Sequence, residues 1–201
     1  MYMVLFNQSS VKIKKIQIKG ANMIYTYAEC KEKFGTNYMI EKQIKEGSLF
    51  KLEKGIYSDK KFVPEKQIVS VKYPKAVFTM DSAFYYHGLT DVIPDKYYLI
   101  TDRGDSKISD ARVVQLFENS DVLYLGAEYY GNTYKILMYN KERMLLELLR
   151  NKNKLPFDYY KELILSYRKI IHQLDMQEIQ DMMLRLPKTK MIMELLELEV
   201  L

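Results

Sequence analysis

Apolar and polar positions alternate with different periods along this chain. From Tyr25 to Phe34 the small or apolar residues recur at 27, 30 and 34, a near-helical spacing, and Gly35 stops the run. Thr36 or Asn37 then caps a second helix. Met39, Ile40, Gln43 and Ile44 share one face of it, while Tyr38, Glu41, Lys42 and Lys45 share another, and Gly47 ends it. The period next falls to two over Leu49–Leu52. Glu53-Lys54-Gly55 makes a turn, and Ile56-Tyr57 starts a return strand. Helix, tight turn, helix and hairpin together predict a winged helix-turn-helix over residues 21–62.

Beyond it, a short helix is predicted over Ser82–His87, capped by Thr79 or Asp81 and closed by Gly88. Strands are predicted at Lys96–Thr101, Val113–Phe117 and Thr133–Met138. The last third is helical: Lys141–Arg150, Phe157–Leu174, Gln177–Leu186 and Met191–Leu198 carry apolar residues at a 3.6-residue period, and Pro187 separates the last two. The expected fold class is α+β. A winged helix-turn-helix is followed by a mixed α+β domain over 63–201, with an α+β part at 63–140 and a helical bundle at 141–201. Residues 1–20 stand apart as a basic arm.

Composition adds a large core and little else. The 201 residues are 48% hydrophobic and 28% charged, which excludes a disordered chain or a rod. The single cysteine, Cys30, excludes a disulfide framework and reads as a small buried residue. With two histidines beside it, a four-ligand structural zinc site is excluded. No apolar run suits a signal-peptide core or the ~20 residues of a membrane span, so a cytoplasmic location is expected. Charge changes the picture more. Residues 1–62 hold twelve lysines against six carboxylates, whereas the remainder is one charge short of neutral. That asymmetry is the footprint of an N-terminal nucleic-acid module. On it, Asn37, Tyr38, Glu41, Lys42 and Lys45 would meet base edges or phosphates in a major groove. Lys51 and Lys54 would reach phosphates from the hairpin. The second helix lacks arginine, the commonest base reader, and carries Glu41 and Glu46. A winged helix used for protein contact is therefore the alternative.

No catalytic, metal or cofactor residues are expected. Asp102, Asp105 and Asp110 fit a solvated loop better than a metal-dependent nuclease centre. No glycine-rich phosphate loop is present. Ser82 and His87 lie five residues apart, a spacing that does not align them on a helix. His87 is expected to sit at a helix C-terminus and to interact with its dipole.

One stretch is more specific. Gly55-Ile56-Tyr57 is followed by Ser82-Ala83-Phe84-Tyr85-Tyr86-His87-Gly88-Leu89-Thr90-Asp91 and Pro94, and later by Glu142-Arg143-Met144-Leu145-Leu146-Glu147. From about Tyr25 to Arg150 the chain resembles the AbiEi antitoxins of type IV, abortive-infection toxin–antitoxin systems of phage defence. Met144 and Glu147 stand where that family often has Thr and Asp. The resemblance implies a non-enzymatic transcriptional regulator. Its winged helix would bind inverted repeats in double-stranded DNA of its own promoter, as a monomer or a DNA-assembled dimer, and repress the operon. Its C-terminal domain would counter a nucleotidyltransferase-like toxin. Ser82, His87, Gly88, Asp91 and Arg143 would be motif residues, structural or antitoxic.

Overall fold

The computed structural model describes residues 24–131 and 135–201. The basic arm expected over 1–20 lies outside the described residues. The chain is mixed α+β, with two sheets and two separate apolar clusters.

The smaller cluster is built by residues 24–58. Strand β1 (Ile24–Thr26) leads into helix α1 (Tyr27–Phe34). Thr26 caps α1 through a reciprocal pair: its hydroxyl accepts from the Glu29 backbone N–H at 3.3 Å, and the Glu29 carboxylate accepts from the Thr26 N–H at 2.7 Å. Thr36 caps α2 (Asn37–Lys45), accepting from the Met39 N–H. Hairpin strands β2 (Phe50–Glu53) and β3 (Ile56–Ser58) follow, turning at Gly55 with φ +79°. The sheet is antiparallel in the order β1-β3-β2. Tyr25, Cys30, Ile40, Leu49 and Tyr57 fill its core, with Phe34 and Ile44 against them.

Two expectations change here. Tyr25 and Thr26 belong to a strand and a cap, not to the first helix, because they pair with Tyr57 and Ile56 of β3. Tyr27 and Met39 are exposed rather than inward-facing.

Helix α3 (Glu65–Lys72) then leads to a five-stranded mixed sheet. Its strands are β4 (Val77–Phe78), β5 (Tyr97–Asp102), β6 (Val113–Glu118), β7 (Ala127–Tyr130) and β8 (Ile136–Tyr139), in the order β6-β5-β4-β8-β7. The pairs β5/β6 and β4/β8 run parallel, and the other two antiparallel. Helices α4 (Met80–Tyr86) and α5 (Ser120–Leu123) punctuate the strands. Then come α6 (Lys141–Arg150), α7 (Phe157–Ile170), α8 (Met176–Arg185) and α9 (Thr189–Glu199).

Every residue of α6 from Arg143 to Leu149 is buried. A helix covered all round is the centre of its domain rather than a surface element, and α4, α7, α8 and α9 surround this one. The expected helices and strands of this region start and end within a few residues of the observed elements. Helices α3 and α5 and strands β4 and β7 are additions to the expected elements. Residues 133 and 134 of the expected strand Thr133–Met138 lie outside the described residues. No helix among the described residues is long and apolar enough to cross a membrane.

Candidate nucleic-acid interface and the motif residues

Helix α2 buries Ile40 and leans on Ile44, which leaves its other faces open. Asn37, Tyr38, Glu41, Lys42 and Lys45 are all exposed, Tyr38 by 75%. Lys51 and Lys54 are exposed on the hairpin. Lys42 lies 3.8 Å from Glu46 one turn on, an exposed pair that contributes little. Lys45, Lys51 and Lys54 have no ion-pair partner among the described residues. Their counterions are therefore free to be exchanged for phosphates.

Tyr27 organises this surface. Its backbone N–H donates to Gly55 O in the hairpin turn at 2.8 Å, and its hydroxyl donates to Asn37 Oδ1 at the start of α2 at 2.5 Å. One residue thus holds the hairpin turn beside the N-terminus of α2. At the other end of α2, Gln43 accepts from the Ser48 hydroxyl at 2.7 Å and its carbonyl accepts from the Leu49 N–H, which fixes the entry into β2. The helical spacing assigns Tyr27 to a core. The local signal for its outward position is Thr26, a cap residue immediately before it.

The motif residues of the larger unit do not form one site. Ser82 is buried, and its hydroxyl accepts from the Tyr98 N–H at 2.9 Å, tying α4 to β5. His87, Gly88 and Leu89 close α4. The Gly88 N–H donates to Tyr85 O and the Leu89 N–H to Phe84 O, with Gly88 at φ +68° and Leu89 buried. This is a Schellman ending, which requires the glycine and supplies the hydrophobic contact after it. Asp91 is exposed on the following loop, next to Thr90, whose hydroxyl donates to Glu162.

His87 stands at the C-terminus of α4, as expected, and its ring turns towards β8. Burial pushes its proton affinity below the usual range. Its Nε2–H donates to Tyr139 O at 2.7 Å. It pins α4 to β8.

Arg143 is completely buried. Its guanidinium meets Glu147 at 3.0 Å and Glu118 at 3.6 Å, and it lies over the Tyr139 ring, 4.7 Å from the centroid. Arg150 meets the same two carboxylates, Glu118 at 2.9 Å and Glu147 at 2.8 Å. Two cations and two anions form a balanced tetrad inside the fold. Glu147 and Met144 are working parts of it and its surroundings. Glu147 joins both arginines, and Met144 accepts the Thr79 hydroxyl at 3.7 Å.

The three loop aspartates do not converge. Asp110 is clamped between Lys72 and Arg112, at 2.7 and 2.8 Å. Asp102 accepts from the Gly104 N–H and the Ser120 hydroxyl. Asp105 accepts from the Asp102 N–H. No group of three or more metal-ligating side chains occurs among the described residues.

No family model matches the chain. No curated protein sequence matches it either. Among solved structures it is similar to that of the RV2827C protein from Mycobacterium tuberculosis, with a TM-score of 0.53 and 12% identity, over 87% of this chain and 71% of that one. At that identity the likeness is one of fold.

Proposed function

We propose that this protein is a DNA-binding antitoxin that represses its own operon. In this reading residues 24–58 act as a winged helix: α2 enters the major groove and the β2–β3 hairpin is the wing. The observation that carries it is the double tie of Tyr27, which sets the hairpin turn beside the start of α2. Lys45, Lys51 and Lys54 then supply phosphate contacts, while Asn37 and Tyr38 meet bases. The resemblance of the Ser82–Pro94 segment to the AbiEi antitoxins supports the second half of the reading. The domain after residue 62 counters a nucleotidyltransferase-like toxin by binding rather than by catalysis. Its motif residues shape that domain, and its surface makes the contacts. The work is cytoplasmic, where the operon and the toxin are.

Fluorescence anisotropy on the labelled DNA upstream of the gene, against scrambled DNA at two salt concentrations, tests the first half. Preference for the upstream DNA that survives the higher salt is the expected result. The quadruple variant Lys42→Gln, Lys45→Gln, Lys51→Gln, Lys54→Gln is expected to bind more weakly. Its salt slope falls by roughly 0.9 for each phosphate that a lysine no longer neutralises. Unchanged binding would remove this face from the interface. A second reading, a winged helix that contacts protein, is favoured by the carboxylates Glu41 and Glu46 of this segment, the latter paired with Lys42. Co-purification with the neighbouring gene product, with no DNA preference, would select it.

A further inference from the structure

A carboxylate stands in the hairpin where a phosphate-binding surface has no use for one. Glu53 immediately precedes Lys54 at the β2–β3 turn. With a Debye length of about 8 Å at physiological salt, a charge one residue from Lys54 repels the phosphates that Lys54 attracts. The β2/β3 register shifts between Lys51 and Glu53, and a bulge of this kind re-aims a side chain. Glu53 is half-buried, whereas Lys51 and Lys54 are exposed. Its carboxylate accepts from both terminal nitrogens of Arg112, at 2.5 and 3.1 Å, and lies 3.3 Å from Lys72. Arg112 belongs to the larger unit, at the end of the connection from β5 to β6. Its Nε and Nη2 also donate to Asp110, at 3.0 and 2.8 Å, and its Nη1 to Glu65, at 3.2 Å. A guanidinium has five N–H donors, and here five carboxylate oxygens of the chain take them. Arg112 therefore has no donor left for a phosphate.

We propose that Arg112 is a positioning residue of the DNA interface and acts through Glu53. It draws this carboxylate to the larger unit and cancels its charge, so that Lys51 and Lys54 meet phosphates with no opposing anion beside them. The inference rests on the DNA-binding reading above and adds its regulation: a residue of the β5–β6 connection that touches no DNA sets the affinity of the hairpin. The balance of the cluster depends on this one side chain. Two cations, Arg112 and Lys72, face three carboxylates, Glu53, Glu65 and Asp110. Without Arg112 a single lysine faces all three. Lys72 lies closer to Asp110, at 2.7 Å, than to Glu53, at 3.3 Å. Glu53, beside the turn, is the carboxylate left with the weaker partner.

Anisotropy of the full chain on the labelled upstream DNA, over a salt series, tests it. Arg112→Gln is expected to bind about tenfold more weakly than wild type at about 0.1 M salt, the effect of one uncancelled charge near a surface. The deficit should shrink as salt is raised, because screening covers the freed carboxylate. Glu53→Gln removes that charge at its source. Glu53→Gln with Arg112→Gln should therefore bind within about twofold of Glu53→Gln alone, the signature of two residues that act as a pair. Arg112→Lys keeps the charge but loses the planar fork, and should fall between wild type and Arg112→Gln. A deficit that stays constant across the salt series overturns the proposal, since Arg112 then acts through the shape of the fold. A deficit that Glu53→Gln fails to relieve also overturns it, and makes Arg112 a phosphate contact. Equal binding by wild type and Arg112→Gln overturns it while leaving the DNA-binding reading intact. A wild-type chain that does not bind the upstream DNA is the separate failure of that reading, and the proposal falls with it.

Discussion

Gly126 and Arg143 show how tightly single residues are held at the centre of the larger unit. Gly126 has φ +72°, and a methyl group there would lie 2.6 Å from Arg143 Cβ and 2.8 Å from Met182 Sδ. Both strain and overlap oppose any side chain. Gly126→Ala is expected to cost about 2–4 kcal/mol in urea unfolding. The buried tetrad makes a sharper statement. Arg143→Met leaves Glu147 and Glu118 sharing a single arginine in the interior, and should cost about 3–5 kcal/mol. Adding Glu147→Leu removes one charge of each sign and leaves the Arg150–Glu118 pair, 2.9 Å apart. The double variant should therefore recover most of that stability, and a double variant as unstable as the single would show that the arginine acts through packing alone. His87 contributes a pH dependence. Because burial depresses its proton affinity, the unfolded chain binds the proton first. Its contribution is complete above about pH 6.5 and fades as the pH falls through the lower folded value. His87→Gln should accordingly flatten the fall in urea midpoint between about pH 7.5 and 5.5, relative to wild type, to the level set by the remaining groups.

Between elements, an ionic cluster ties the hairpin to the rest of the molecule. Glu53 on β2 receives two hydrogen bonds from Arg112, at 2.5 and 3.1 Å, and Lys72 of α3 lies 3.3 Å from it. Arg112 and Lys72 also share Asp110. Arg112, with Lys72 beside it, holds the carboxyls of Glu53 and Asp110 below their usual range despite some burial. Asp110 holds the Lys72 ammonium above its own usual range. Depressed carboxyls stabilise the fold above their unfolded values, about pH 4, and that contribution disappears as the pH falls through the folded values. The raised ammonium acts in the opposite sense, and its contribution disappears only on the alkaline side of about pH 10.4. Arg112→Gln is therefore expected to speed amide exchange in β2 and β3 at about pH 7 while leaving α6 protected, and the difference from wild type should shrink at about pH 3. No local pattern reveals this clamp, since Glu53 and Arg112 are far apart in the chain and each reads as an ordinary surface charge. The helices of the last third are legible because their leucine and methionine periods extend over several turns. Thr36, Gly35, Gly47 and Gly88 mark ends correctly because capping is a local matter. Helix α3 is hidden by Ile68-Val69-Ser70-Val71, whose β-branched residues favour strands; burial of Val69 and Gln67 overrides that preference. Strand β4 has two residues and exists only because β5 and β8 flank it. Of the tetrad, the Arg143, Glu147, Arg150 spacing is visible on one helix, but Glu118 comes from β6 and only the fold delivers it.

At the scale of the whole molecule, the positive charge and the exposed helix face make different contributions to the proposed DNA binding, and the two can be separated. Lys12, Lys14, Lys15 and Lys19 carry no neighbouring carboxylate in the first 20 residues and so hold much of the net charge. Lysines that meet phosphates raise affinity for any sequence and steepen its dependence on salt. Neutral side chains that meet base edges raise affinity for one sequence and release no counterions. Replacing the four arm lysines by glutamine is thus expected to weaken binding to upstream and scrambled DNA by the same factor. The salt slope should drop by at most about 3–4, the value if all four lysines met phosphates. Asn37→Ala with Tyr38→Ala is expected to do the reverse, lowering the preference for upstream DNA while the slope stays where it was. Because Asn37 also accepts the Tyr27 hydroxyl, Tyr27→Phe serves as the control: it breaks that tie and leaves both exposed side chains in place. If the Tyr27→Phe change alone abolishes the preference, the hairpin's position beside α2 is what reads the site. If it does not, and the double alanine variant does, the reading belongs to the side chains of α2 themselves. Loss of the preference on changing only the arm lysines would move sequence recognition to the first 20 residues and leave α2 to phosphate contacts.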